Sequence, residues 1–224
     1  MMAAAALALF VVMMLLAGAL RTLIQWHRTG DSGNRRTLSP RGSLGWLALT
    51  ATDIGYLMVG VGGPLAHWLG LAPVSVLQYP PIHVLGVVLA VLGILAAFGA
   101  QMALGASWRI GVDQSERTAL VISGPFGWVR NPIFTAVLTA FLGLALMVPN
   151  LIALIGWVLA LSGIQTQVRL VEEPHLKRVH GEPYARYAAR VGRFLPGLGR
   201  LRTGGHDTTT VRHTDREADG RQHG

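Results

Sequence analysis

The sequence predicts an all-α integral membrane helical bundle, with five transmembrane helices and a cytoplasmic, C-terminal amphipathic helical segment. Three observations carry this. The 224 residues are 51% hydrophobic and only 13% charged, where a soluble domain averages about 25% charged. Asp, Glu, Lys and Arg are absent from residues 2–20, 54–108 and 131–168, and uncharged apolar runs of this length suit a hydrocarbon core about 30 Å thick. All 19 basic residues fall in segments that an odd number of spans places on one side of the membrane.

The first span is residues 3–20. Ala17-Gly18-Ala19 resembles a leader cleavage site, but no basic residue precedes the stretch and it exceeds the usual apolar part of a leader, so it is expected to stay as a span. The second span covers about 43–61 and the third about 81–104. Residues 131–168 make the fourth and fifth, with Pro149-Asn150 as the turn between them. The loop 21–42 carries five basic residues, the loop 105–131 three and the segment 169–224 eleven, while 62–80 and 149–150 carry none. That side is therefore read as cytoplasmic, with the amino terminus outside and the carboxyl terminus inside. The net charge of +8 then reports topology first and attraction to membrane lipid headgroups second; no nucleic acid partner is expected. No cysteine occurs, which excludes a disulfide scaffold, a cysteine zinc site, an iron–sulfur cluster and a cysteine nucleophile. No metal site is expected.

In the third span Gly86, Ala90, Gly93 and Ala97 recur at three and four residues, a stripe that lets another helix approach closely. Asp53 lies inside the second span, where an ionisable group is costly and a functional suspect, although capping a kink near Gly55 also explains it. His67 and His83 sit near the outer span ends with no spacing that completes a metal site.

Two segments differ from the spans. Residues 105–132 are rich in turn formers and end in Arg130-Asn131-Pro132, with Pro132 suited to the first turn of the fourth span. Residues 169–197 read as two short amphipathic helices broken at Gly181 and Pro183. Glu172-Glu173 lies directly below the fifth span, where adjacent carboxylates need partners; Arg130, Arg169 and Arg190 are the candidates. Residues 203–224, with His206, His213 and His223, read as a disordered, solvated tail. The domain organisation is thus 1–104 with three spans, 105–200 as a core with spans four and five, and the tail 201–224.

The run Ser123-Gly124-Pro125-Phe126-Gly127-Trp128-Val129-Arg130-Asn131-Pro132-Ile133-Phe134, then Glu172-Glu173-x-x-Leu176, His180-Gly181-Glu182-x-Tyr184-x-x-Tyr187 and Arg190-Val191-x-Arg193-Phe194-x-Pro196-Gly197, resembles the isoprenylcysteine carboxyl methyltransferase family in order and spacing. The resemblance covers about 105–200. It implies a membrane-embedded methyltransferase that uses S-adenosylmethionine, with Arg130 and Arg190 as catalytic residues at the reaction centre. It places Asn131, Pro132, Glu172, Glu173, Tyr184 and Tyr187 at the cofactor. The sequence departs from the family where Asn131 stands for its histidine and Phe126 and Phe134 for its tyrosines. An amide replaces one imidazole hydrogen bond but does not titrate near neutral pH.

Methyl transfer from a sulfonium is an in-line displacement, in which alignment contributes on the order of 7–11 kcal/mol. An acceptor carboxylate is already ionised and needs orientation, which a planar guanidinium supplies in a two-point grip. A lipophilic small molecule or lipid is the expected acceptor. Lysine occurs once, at Lys177, against eighteen arginines, a bias of GC-rich coding that suggests a bacterial inner membrane. The alternatives are an NADPH-dependent membrane reductase of sterol-reductase type, with which the family shares its C-terminal half, and a catalytically inactive membrane scaffold. A small transporter fits less well, with one intramembrane carboxylate and no inverted repeat.

Overall fold

The computed structural model describes residues 1–35, 40–108 and 119–201. Arg36, Arg109 and Arg117 of the loops, and the tail 203–224 with its histidines, lie outside the described residues. Among the described residues the chain is mainly helical, and an isolated parallel bridge pairs Val129 with Gly192. Four helices are long and apolar enough to cross a membrane: α1 (Met2–Thr29), α2 (Leu44–Trp68), α3 (Pro80–Ser107) and α5 (Leu151–His180). A shorter apolar helix, α4 (Pro132–Met147), stands between the last two, and α6 (Glu182–Arg190) follows α5. The chain is an all-helical integral membrane protein.

Local chemistry sets the helix ends. Ser43 caps α2, its Oγ accepting from the Trp46 N–H at 3.2 Å, as N-cap hydroxyls do. Prolines occupy the first turns of α3, α4 and α6, where their missing N–H costs nothing. Two spans run further than the sequence suggests. α1 passes through a π-helical stretch, Met14–Leu20, and continues to Thr29, where Gly30 at φ 70° ends it. α5 likewise continues through the π-helical stretch Gln167–Glu172 to His180. The expected pair of amphipathic helices is therefore the extension of α5 plus α6, hinged at Gly181 with φ 55°.

Helix contact is set by small residues. In α3, Gly86, Ala90, Gly93 and Ala97 are all buried. A Cβ at Gly93 would lie 2.5 Å from the Ala140 nitrogen, and one at Gly86 2.8 Å from the Gly143 carbonyl; α3 and α4 touch backbone to backbone along this stripe. α2 and α5 meet the same way, since a Cβ at Gly55 would lie 2.6 Å from both the Ala160 nitrogen and the Gly156 carbonyl. α4 packs chiefly along α3 and α5 chiefly along α2. Between them a ladder of rings fills the core: Tyr56 stacks on Phe141 at 4.2 Å, and Phe10 meets Phe141 edge-on at 6.1 Å.

α4 has 16 residues, about 24 Å at 1.5 Å per residue, so the α4–α5 turn is buried in protein. Exposed backbone polar groups are not tolerated at membrane depth, and Asn150 resolves this. Its Nδ2 donates to the Gly63 carbonyl at 2.8 Å and its Oδ1 accepts from the Ala153 N–H at 3.0 Å, while the Val74 N–H donates to the Pro149 carbonyl at 2.7 Å. His67 is exposed, and His83 and Asp53 are half-buried.

Candidate functional site

The start of α4 and the chain after α6 are sewn together. The Arg130 N–H donates to the Gly192 carbonyl at 2.8 Å, and the Asn131 N–H and Nδ2 both donate to the Arg193 carbonyl at 3.1 Å. Thr135 Oγ1 donates to the Phe194 carbonyl at 2.8 Å. The turn that follows requires glycine at 192, because a Cβ there would lie 2.8 Å from the Leu198 carbonyl and 2.9 Å from the Gly197 nitrogen. Two stretches some sixty residues apart thus become one wall.

Inside it lies a buried ionic cluster. Glu173, at the start of the last turns of α5, is 7% exposed. Its Oε1 accepts from Arg130 Nη2 at 2.6 Å and Arg193 Nε at 2.7 Å, and its Oε2 accepts from Arg193 Nη2 at 2.8 Å. Arg193 grips the carboxylate in a two-point fork, the strong form of this pair. The fork holds the Arg193 guanidinium protonated to a higher pH than usual. Arg130 also binds backbone. Its Nη1 donates to the Ala188 and Val191 carbonyls at 2.7 and 3.0 Å, and its Nη2 to the Gly199 carbonyl at 3.1 Å. Arg130 therefore supplies the donors that the end of α6 lacks, as a cation at a helix C-terminus does. Its Nε is buried and has no hydrogen-bond partner among the described residues.

Two tyrosines of α6 close the cluster. Tyr187 donates its hydroxyl to the Phe126 carbonyl at 2.6 Å, which ties α6 to the Gly124–Gly127 turn. Burial raises its pKa to about 12. Tyr184 is 2% exposed and meets Tyr187 at 6.2 Å between ring centres. Burial and then the Glu173 charge raise its pKa further.

The sequence-predicted residues separate accordingly. Arg130, Asn131, Glu173, Tyr184 and Tyr187 come together. Pro132 is buried at the first turn of α4, and Glu172 is half-buried beside Glu173. Arg190, at the C-terminal end of α6, and Arg169 are exposed, and neither bonds Glu173. Arg193 takes that place. The motif contains both Arg190 and Arg193; only the chain's course after α6, where Val191 turns extended at φ −103° and ψ 133°, selects the second. At the departures, Phe126 is buried and offers its backbone carbonyl, and Phe134 packs beneath the cluster with Leu138, Ile164, Val168 and Phe194. Asn131 spends its amide on the wall.

The cluster has two guanidiniums against one carboxylate, an excess of one positive charge, with a second carboxylate, Glu172, alongside. Residues 81–183 match the family model of the phospholipid methyltransferases, the same family as the isoprenylcysteine carboxyl methyltransferase-like membrane enzymes. The matched segment contains Arg130, Asn131, Pro132, Glu172 and Glu173 and stops just before Tyr184. No curated protein matches the chain. The match supports a membrane methyltransferase in general.

Proposed function

From the phospholipid methyltransferase match over residues 81–183, we propose that this chain is an integral membrane methyltransferase. It uses S-adenosylmethionine and methylates a lipophilic acceptor, with a carboxylate as the favoured acceptor group, at the Arg130–Glu173–Arg193 cluster on the cytoplasmic face. The observation that supports this best is the convergence of Arg130, from the first motif, with Glu173 and Arg193, from the second, in one buried ionic cluster.

The residues present suit the cofactor. Its amino-acid end carries a carboxylate and an ammonium. The excess positive charge of the cluster suits the first, and the buried Arg130 Nε is a donor left unused by the described residues. Glu172 suits the second, because the oxygens of Glu173 already accept three guanidinium N–H bonds. When bound, the cofactor would supply a methyl group made electrophilic by its sulfonium. Glu173 fixes both guanidiniums. Arg193, with its side chain 13% exposed, presents the Nη1 that Glu173 does not use, and it orients an acceptor carboxylate at the membrane boundary. The apolar cluster under it, Phe134, Leu138, Ile164 and Phe194, receives the lipophilic part, which enters from the bilayer.

The test is calorimetric binding of S-adenosylmethionine and S-adenosylhomocysteine to the detergent-purified protein, beside Glu172→Gln and Glu173→Gln variants. Saturable binding by the wild type, weakened by Glu172→Gln without loss of folding, is expected. A folded wild type that binds neither ligand overturns the reading. Binding of NADPH would then favour a reductase, and binding of none of them the inactive scaffold.

A further inference from the structure

The chain after α6 turns back towards the membrane. Phe194 packs with Leu138, Ile164 and Val168, and its carbonyl accepts from Thr135 Oγ1 at 2.8 Å. Thr135 and Leu138 lie three and six residues beyond Pro132, where α4 begins, so they stand about 4.5 and 9 Å along the span at 1.5 Å per residue. Leu138, Ile164 and Val168 all belong to the uncharged run 131–168. Phe194 therefore sits at the depth of the span ends, not beneath them.

The residues that follow suit that depth. Between Arg193 and Arg200 the sequence reads Phe-Leu-Pro-Gly-Leu-Gly, with no polar side chain. Its backbone is closed on protein. The Arg193 carbonyl accepts from Asn131, the Phe194 carbonyl from Thr135, the Leu195 carbonyl from the Leu198 N–H at 3.1 Å and the Leu198 carbonyl from the Arg193 N–H at 2.7 Å. Irregular chain approaches hydrocarbon only when its polar groups are satisfied in this way. The side chains are left open instead: Leu195 is 54% exposed and Leu198 62%. Trp128, 77% exposed, precedes Val129, which pairs with Gly192 at the root of the turn. Exposed apolar side chains gathered on one turn mark an interaction surface, and an aromatic residue with flanking arginines is the composition of a membrane interface. The remaining chain is a poor cover for this patch, since residues 202–224 offer only Val211 and Ala218 as apolar side chains.

We infer that the turn formed by residues 194–199 inserts into the lipid leaflet on the side of the Glu173 cluster, with Leu195 and Leu198 at the boundary of headgroups and acyl chains and Trp128 at headgroup level. Arg193 opens the turn, so its fork on Glu173 is held at the same boundary. The turn lies beyond the matched segment 81–183, and the insertion holds whether or not the chain transfers methyl groups.

The test uses the full-length protein in nanodiscs of phosphatidylcholine and phosphatidylglycerol. The chain has no cysteine, so Leu195→Cys and Leu198→Cys each carry a single fluorescent label. Lys177→Cys is the reference, because Lys177 is exposed and lies nine residues beyond Val168 along α5, about 13 Å further out at 1.5 Å per residue. The quenchers are iodide, from water, and phosphatidylcholine with a nitroxide near the top of its acyl chain. Iodide is expected to quench the labels at 195 and 198 several-fold less than the label at 177, and the nitroxide lipid several-fold more. Melting curves identify the variants that fold, and either turn position carries the test alone if the other variant does not. A label in the turn as open to iodide as the one at 177 overturns the inference. So does shielding from iodide without quenching by the nitroxide lipid, which would show that protein covers the turn, from a second copy or from the remaining chain.

Discussion

Replacing Arg130 with Gln tests the wall between α4 and α6 more severely than replacing Arg193, although both arginines bind the same carboxylate. Arg130 has a side chain 2% exposed and makes four hydrogen bonds, three to the carbonyls of Ala188, Val191 and Gly199 and one to Glu173. Its loss leaves Glu173 with the Arg193 fork, so the carboxylate keeps a partner. The Ala188 carbonyl keeps the Leu201 N–H, which donates to it at 2.9 Å, whereas the Val191 and Gly199 carbonyls lose the partner that Arg130 gives them. An unsatisfied buried acceptor costs about 1–3 kcal/mol. Val191 is half-buried and Gly199 exposed, so water replaces part of the loss, and with the buried bond to Glu173 the total is about 2–4 kcal/mol. Arg193→Gln removes two bonds to Glu173 from a side chain 13% exposed and leaves Glu173 to Arg130, a cost of about 1–2 kcal/mol. Equilibrium unfolding in mixed micelles, followed by tryptophan fluorescence, measures both, since Trp128 sits next to this wall. Equal destabilisation by the two substitutions, or an Arg130→Gln cost below about 1 kcal/mol, refutes the assignment of Arg130 as the closure of α6.

Other substitutions probe the helix contacts, the buried turn and the tyrosine tie. Gly143→Leu forces α3 and α4 apart, because a Cβ at Gly143 would already lie 2.9 Å from the Ala90 Cα; a loss of folded protein from the membrane, against a neutral Gly99→Leu control at a glycine with nothing within 4 Å, is read by size-exclusion yield. Asn150→Ala removes the α5 cap and the side-chain bond to the Gly63 carbonyl, for about 1–2 kcal/mol, measurable by the same micelle unfolding. The Tyr187 hydroxyl titrates near 12 against 10.0 for an unperturbed tyrosine. Its folded pKa is raised, so the stability it contributes is complete below pH 10 and is lost as the pH rises towards 12. A melting temperature that falls across that window, with a smaller fall in Tyr187→Phe, is expected; identical profiles for the two proteins would show that the hydroxyl's bond to Phe126 carries no weight.

The class, the apolar helices and the contact face of the closest helix pair are legible in the order of residues alone. Uncharged runs of span length leave few alternatives to helices in a bilayer, and Gly86, Ala90, Gly93 and Ala97 form a face by helical periodicity. Pro132, Ser43 and Asn150 mark helix starts because capping is local chemistry. The motif order also brings Arg130, Glu173, Tyr184 and Tyr187 to notice as a group. Which of these groups touch is a matter of the folded chain. Arg190 and Arg193 are equivalent as letters, but α6 ends at the first and the extended chain turns the second onto Glu173. Glu172 and Glu173 are adjacent, yet only Glu173 lies between the two guanidiniums. Arg21 reads as one of many topology arginines until α1 continues past its apolar run and lays that side chain against the end of α3. Each of these choices depends on where a helix stops or which way it faces, and long-range packing fixes both.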